Sequence, residues 1–153
     1  MKKVLLLVLV FAMVFAVAPV VANYDYYAYD PDIEILSITI DGEIIDIPEE
    51  YGAMIMYNNR TMVPVRFVSE FLNFGVDWIE VDQIVVFRNA DYAVMFQIGQ
   101  YGLILPMSNQ RVTMDAPAMI YNNRSYIPVR FFAEAIGMTV EWDEYTRTVY
   151  LAR

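Results

Sequence analysis

Few residues in this sequence have both the type and the spacing for chemistry. Asp143-Glu144 and Glu49-Glu50 are adjacent carboxylates of the kind a glycosidase uses as acid and base. Both pairs fall in stretches that read as surface turns, which argues for solvated charge. Asp77, Glu80 and Asp82 supply hard oxygen ligands for Ca²⁺, but without the spacing of an EF-hand loop. Met54 and Met56, two apart on one strand face, present soft thioethers of the kind that hold Cu(I). Methionine as adaptable core filler is the simpler reading. The chain has no His and no Cys. That removes the commonest general base, the commonest transition-metal ligand, thiolate chemistry and any disulfide framework. The expectation is therefore a non-enzyme, with no catalytic, cofactor-binding or metal-binding residues and no cofactor.

The elements that would position such groups are organised around a repeat. Residues 57–78 read YNNRTMVPVRFVSEFLNFGVDW, and residues 121–142 read YNNRSYIPVRFFAEAIGMTVEW. Aligned without a gap, windows 57–87 and 121–151 share 13 of 31 positions, and self-similarity at a fixed period is the mark of a repeat architecture. In each copy Asn-Asn suits a two-residue type I′ turn, because Asn tolerates positive φ better than any residue except Gly. Pro64 and Pro128 are placed to open a short helix, where a missing N–H costs nothing. Phe67, Val68, Phe71 and Leu72 form the apolar stripe of the first helix, with Arg66, Ser69, Glu70 and Asn73 on its polar side. Phe131, Phe132, Ala135 and Ile136 repeat the stripe. Asn73 and Gly137 stand at the same position and both suit the left-handed residue that ends a helix.

A Trp-bearing strand and a further strand follow each helix. Trp78 and Trp142 offer ring faces to a sugar, but their matching positions favour packing on the helix of their own copy. Arg66–Glu70 and Arg130–Glu134 are i, i+4 pairs in the weaker orientation, with each Arg near a helix N-terminus where the macrodipole opposes it. A tertiary partner for each Arg, pinning the copy together, is the reading this favours.

Upstream, residues 35–47 predict a hairpin turning at Asp41-Gly42. Between the copies, strands are expected near 92–98, 103–105 and 111–114. The fold class is thus α+β: two tandem repeats of antiparallel hairpins with one short helix each. Units of about 60 residues are marginal alone, so the copies are expected to pack on each other. Repeat 1 covers 35–90 and repeat 2 covers 91–153.

The ends carry separate signals. Met1-Lys2-Lys3 followed by an apolar run over 4–21 and small residues near Ala22 describes a secretory signal peptide, residues 1–22. An uncleaved anchor is the alternative, since the run sits at the lower limit for spanning a bilayer. Residues 23–34, in which Tyr alternates with Asp, read as a linker. The ten basic residues less Lys2 and Lys3 leave eight arginines against 19 acidic residues, a net charge of −11 after leader removal. Such a chain repels nucleic acid and anionic membrane surfaces.

The motif carries a resemblance. Asn59, Arg60, Thr61, Val63, Pro64, Val65, Arg66, Phe67, Glu70, Val76 and Trp78 are similar to the copper amine oxidase N-terminal-like domain, also called the stalk domain. So are Asn123, Arg124, Ser125, Ile127, Pro128, Val129, Arg130, Phe131, Glu134, Gly137, Val140, Glu141, Trp142, Arg147, Thr148 and Val149 in the second copy, and the run Asp115-Ala116-Pro117 before it also fits. The first copy departs from the pattern at Asn73, where a Gly stop is usual. The resemblance spans roughly residues 35–152. It implies an exported or cell-surface bacterial protein in which the domain is an appendage. The copper site and quinone of amine oxidases lie in another domain and need histidine ligands. The expected function is a secreted, non-catalytic envelope module, structural or binding, with a cell-wall polysaccharide, peptide or envelope protein as partner. A binding groove would lie between the copies. A carboxylate-based hydrolase is the remaining reading.

Overall fold

A computed structural model describes residues 36–153. The signal-peptide and linker readings, 1–22 and 23–34, lie outside the described residues. The chain begins with a hairpin, β1 (Ser37–Ile40) and β2 (Glu43–Ile45), turned at Asp41 and Gly42 with φ of 52° and 87°. A 3-10 turn at Glu49–Tyr51 leads to β3 (Ile55–Tyr57), β4 (Arg60–Pro64), α1 (Val65–Phe71), β5 (Gly75–Ile79) and β6 (Ile84–Arg88). Three strands follow: β7 (Ala93–Gln97), β8 (Gly102–Leu105) and β9 (Gln110–Thr113). The chain closes with β10 (Met119–Tyr121), β11 (Arg124–Pro128), α2 (Val129–Ala135), β12 (Thr139–Asp143) and β13 (Thr148–Ala152). Among the described residues the architecture is mostly β-sheet with two short helices.

Every bound from β3 to β6 recurs 64 residues later from β10 to β13. The local devices recur with them. Asn58 and Asn59 have φ of 47° and 60°, and so do Asn122 and Asn123, which are the values a type I′ turn requires. Asn73 (φ 57°) and Gly137 (φ 82°) both take the left-handed position after the helix. Phe74 N–H reaches the Ser69 carbonyl at 2.7 Å, and Met138 N–H reaches that of Ala133 at 2.9 Å. With the Asn73-to-Glu70 and Gly137-to-Glu134 bonds, this is the Schellman pattern in both segments.

The strands form three sheets, ordered β12-β13-β1-β2, β10-β11-β4-β3 and β5-β6-β7-β8-β9. The middle one joins the two segments. In it β4 runs antiparallel to β11 with Val63 opposite Ile127, its own counterpart, and Met62 opposite Pro128 as Pro64 is opposite Tyr126. A local two-fold therefore passes through the Val63–Ile127 pair. The outer sheets cross over in sequence. The N-terminal β1 pairs in parallel with β13, while β6 is extended by β7. Each helix packs on the other segment's return strand, α1 on β11 and α2 on β4. Phe132 of α2 stacks 4.6 Å, centroid to centroid, from Phe87 of β6 and meets Phe74 edge-on. The main apolar core results, with Val63, Phe87, Leu103, Ile127 and Phe132 fully enclosed, and a smaller buried cluster gathers Ile55, Met62, Met119 and Tyr126. Burial of such side chains stabilises by roughly 1.5–3 kcal/mol each, before ordering costs.

Three details of the helices differ from the sequence reading. Pro64 and Pro128 close their strands instead of opening the helices, because their ψ of 126° and 120° is extended. Ser69 is buried, its hydroxyl satisfied by donating to the Arg66 carbonyl at 2.7 Å, so it belongs to the packed face. Phe71 is partly exposed, because a seven-residue helix turns its last apolar position past the core.

Candidate functional site

The antiparallel seam between β4 and β11 leaves a cleft on either side of the local two-fold. One, of about 330 Å³, is walled by Pro64, Val65 and Arg66 at the start of α1 and by Val76 and Trp78 of β5. Its far wall is the hairpin of the other segment, with Asn123, Arg124 and Ser125. The second, of about 280 Å³, has Pro128, Val129, Arg130, Val140 and Trp142 on one side. Asn59, Arg60 and Thr61 stand on the other. These residues correspond at the 64-residue offset, and each cleft draws on both segments.

Short-range structure explains why these groups reach the clefts. Val76 and Trp78 alternate with Asp77, so strand periodicity puts both on one face of β5. The type I′ turns fold each Asn-Arg hairpin tip back toward the other segment. The tips are then clamped. Arg124 donates twice to the Glu50 carbonyl, at 3.2 and 3.3 Å. Arg60 Nε pairs with Asp115 at 2.5 Å. The carbonyl and the carboxylate belong to the lead-in segments of β3 and β10 respectively, so each hairpin arginine ties down the approach to the opposite hairpin. Gly52 permits the first clamp: its φ is +85°, and a Cβ there would lie 2.8 Å from the Tyr126 hydroxyl. Tyr126 donates to the Ala53 carbonyl at 3.0 Å, and burial pushes its phenol above the usual value.

Two sequence readings are corrected here. Trp78 is not a core residue: it is 44% exposed, on a strand whose five positions are all exposed. Trp142 is half-buried and packs against the core edge, with the Arg147 guanidinium 5.8 Å from its ring centroid. Nor do Arg66 and Arg130 pin their segments. Among the described residues neither guanidinium makes an ion pair or hydrogen bond. Glu70 instead accepts a short hydrogen bond from the Tyr51 hydroxyl, whose pKa is raised first by that bond. Pinning falls to Arg60 and Arg124. The unfavourable placement of Arg at a helix start was the signal that these side chains serve something other than helix stability.

Two of the carboxylate candidates have structural partners, and Glu50 lines the first cleft. Asp143 caps its own turn, accepting from the N–H of Tyr145 at 2.8 Å and of Thr146 at 3.2 Å, and those bonds hold its pKa below the usual value. Such a group is a poor proton donor. Asp77 pairs with Arg88 at 2.7 Å. Met54 is buried, and Met56 lines the second cleft. Among the described residues no three His, Cys, Asp or Glu gather as a metal site. The donor set does not fit the copper centre of an amine oxidase, since the sequence has no histidine. Glu134 stays on the outer face of α2, as Glu70 does on α1. No helix among the described residues is long and apolar enough to cross a membrane. The clefts are thus equipped for non-covalent contact: an aromatic face, guanidinium groups, amides and hydroxyls.

No curated protein matches the chain. A family model for the copper amine oxidase N-terminal domain, a non-catalytic part of those enzymes, matches residues 39–151. The chain accordingly belongs to the copper amine oxidase N-terminal domain family.

Proposed function

We propose that this chain is an exported, non-catalytic module of the cell envelope, built of two tandem repeats, and that it works by binding a wall polymer between them. Export rests on the apolar leader and its basic start. Binding rests on one observation above others: Trp78 stands 44% exposed in a cleft assembled from both segments. A large aromatic ring left in solvent beside polar groups is costly for stability alone and suits the apolar face of a sugar ring.

The test uses the exported protein and a panel of insoluble wall polysaccharides and peptides. Retention by one polymer, lost on Trp78→Ala without a change in melting temperature, supports the binding role. Retention by none would leave a structural spacer as the function. Turnover of a glycan or peptide that disappears on mutating one carboxylate would overturn the non-catalytic reading.

A further inference from the structure

The two clefts hold the same set of groups. Each has one tryptophan, Trp78 or Trp142, and one guanidinium from a helix start, Arg66 or Arg130. Each receives a second arginine and an asparagine from the other segment's hairpin, Arg124 and Asn123 in one, Arg60 and Asn59 in the other. Each also carries one glutamate, although the two stand at positions that do not correspond: Glu50 in the lead-in to β3 and Glu141 in β12. The sheet register matches as well. Trp78 lies opposite Val85 and Trp142 opposite Val149, and both valines line their clefts. Arg147, which lies over the Trp142 ring, is outside the lining of that cleft. Guanidinium and amide donors beside carboxylate and amide acceptors suit hydroxyl groups, which both donate and accept.

Resting on the binding role proposed above, we infer that the Trp142 cleft is a second site for a neutral glycan, and that the two clefts hold two separate chains, so that the module cross-links the polymer. The symmetry of the seam requires two chains. The two-fold through Val63 and Ile127 carries one cleft onto the other. A glycan chain has a direction, from its non-reducing to its reducing end. A chain crossing from one cleft to the other approaches the axis in the first and leaves it in the second. The rotation carries approach onto approach, so such a chain meets the clefts in opposite senses and fits only one of them. Two chains, each entering its own cleft, satisfy both. A wall peptide is the less fitting occupant. An extended peptide adds to a strand edge through ladder groups, whereas the lining groups lie on strand faces, helix starts and hairpin tips. The sites are equal in plan and unequal in strength: Trp78 is exposed and Trp142 half-buried, so less of the second ring is open to a sugar.

The experiment titrates the exported protein by calorimetry with the hexasaccharides of N-acetylglucosamine and of β-glucose, and with a synthetic pentaglycine peptide as the rival probe. Two copies of one hexasaccharide are expected to bind per chain. Trp78→Ala and Trp142→Ala are each expected to reduce this to one. Arg66→Gln and Arg130→Gln, both at exposed positions, are each expected to weaken their own cleft by roughly tenfold, and they carry the test if Trp142→Ala disturbs folding. A solution of the long polymer of the same sugar should turn turbid with the native chain and stay clear with either tryptophan variant. Losing one cleft should also cut retention on an insoluble polymer by roughly 10²-fold or more, since the second contact no longer acts at high effective concentration. One hexasaccharide per chain, unaffected by Trp142→Ala and Arg130→Gln, would overturn the second site. One per chain, lost in the variants of either cleft, would overturn the two-chain geometry, as would two per chain without turbidity. Pentaglycine bound through these residues in place of the sugars would overturn the glycan in favour of a peptide. Failure of both hexasaccharides while a wall polymer is retained would overturn this inference alone, and failure of every polymer would overturn both.

Discussion

The clefts at Trp78 and Trp142 have nearly the same residues at the same spacing, yet Trp78 is exposed while Trp142 is half-buried with Arg147 over its ring. The difference comes from positions at which the two segments are not identical. Tyr51 in the first lead-in stands where Asp115 stands in the second, so one clamp ends on a carbonyl and the other on a carboxylate. Gly52 corresponds to Ala116, and only the glycine sits at positive φ. Gln83 corresponds to Arg147, which alone shields a tryptophan. The repeated motif thus builds a scaffold with two equivalent cavities, and a handful of unequal residues decides what each cavity presents. Identity between the segments marks structure here, and departures from it change what each cleft presents.

That comparison can be broken at its seam first. Ile127→Ala, at the local two-fold, removes buried methyl groups from both halves and is expected to cost about 2–5 kcal/mol in urea unfolding. Both clefts should weaken together; loss at one alone would mean that they do not share a support. Gly52→Ala forces a side chain into positive φ and against Tyr126, at about 1–3 kcal/mol. Because Ala116 already carries a Cβ, a tolerated Gly52→Ala would show that the lead-ins are interchangeable. Arg60→Ala breaks an ion pair whose side chains are both over 40% exposed, and is expected to cost under about 1 kcal/mol. That cost should shrink in 1 M salt, whereas the effect of Arg124→Ala, which removes bonds to a carbonyl, should change less with salt. The smallest effect is at Asp143, which has Ile79 as its counterpart. Its folded pKa is lowered, so its contribution is present above the unfolded value near 3.8 and is lost as pH falls through the folded one. The stability gap between the native chain and Asp143→Ala should therefore hold at neutral pH and close on acidification below about pH 4. A gap independent of pH would remove the carboxylate from the account of that turn.

Much of the fold was readable because it depends on near neighbours. Asn58-Asn59 and Asn122-Asn123 turn as their tolerance of positive φ requires, and Asn73 and Gly137 stop their helices by the same bond pattern. Asp41-Gly42 turns the first hairpin. The tryptophans were misread for a physical reason. Period-two alternation shows that Val76 and Trp78 share a face, but not whether anything covers it. β5 and β12 are both edge strands backed by a strand with a further neighbour, and the two rings differ in that Arg147 lies over Trp142 where Gln83 stands beside β5. Arg66 was misread similarly: its poor helical placement showed that it served a tertiary role but not that this role faced a cleft.

The sequence by itself determined the turns, the helix stops, the 64-residue spacing and the absence of histidine and thiol chemistry, because each follows from residue type within a few positions. Only the tertiary structure decided that β1 joins β13 in parallel across 111 residues, from Ser37 to Thr148. It alone paired Val63 with Ile127 and left Trp78 in solvent beside Arg66. Those outcomes depend on which apolar faces find each other when the chain closes on one core. Local propensity carries no record of that choice.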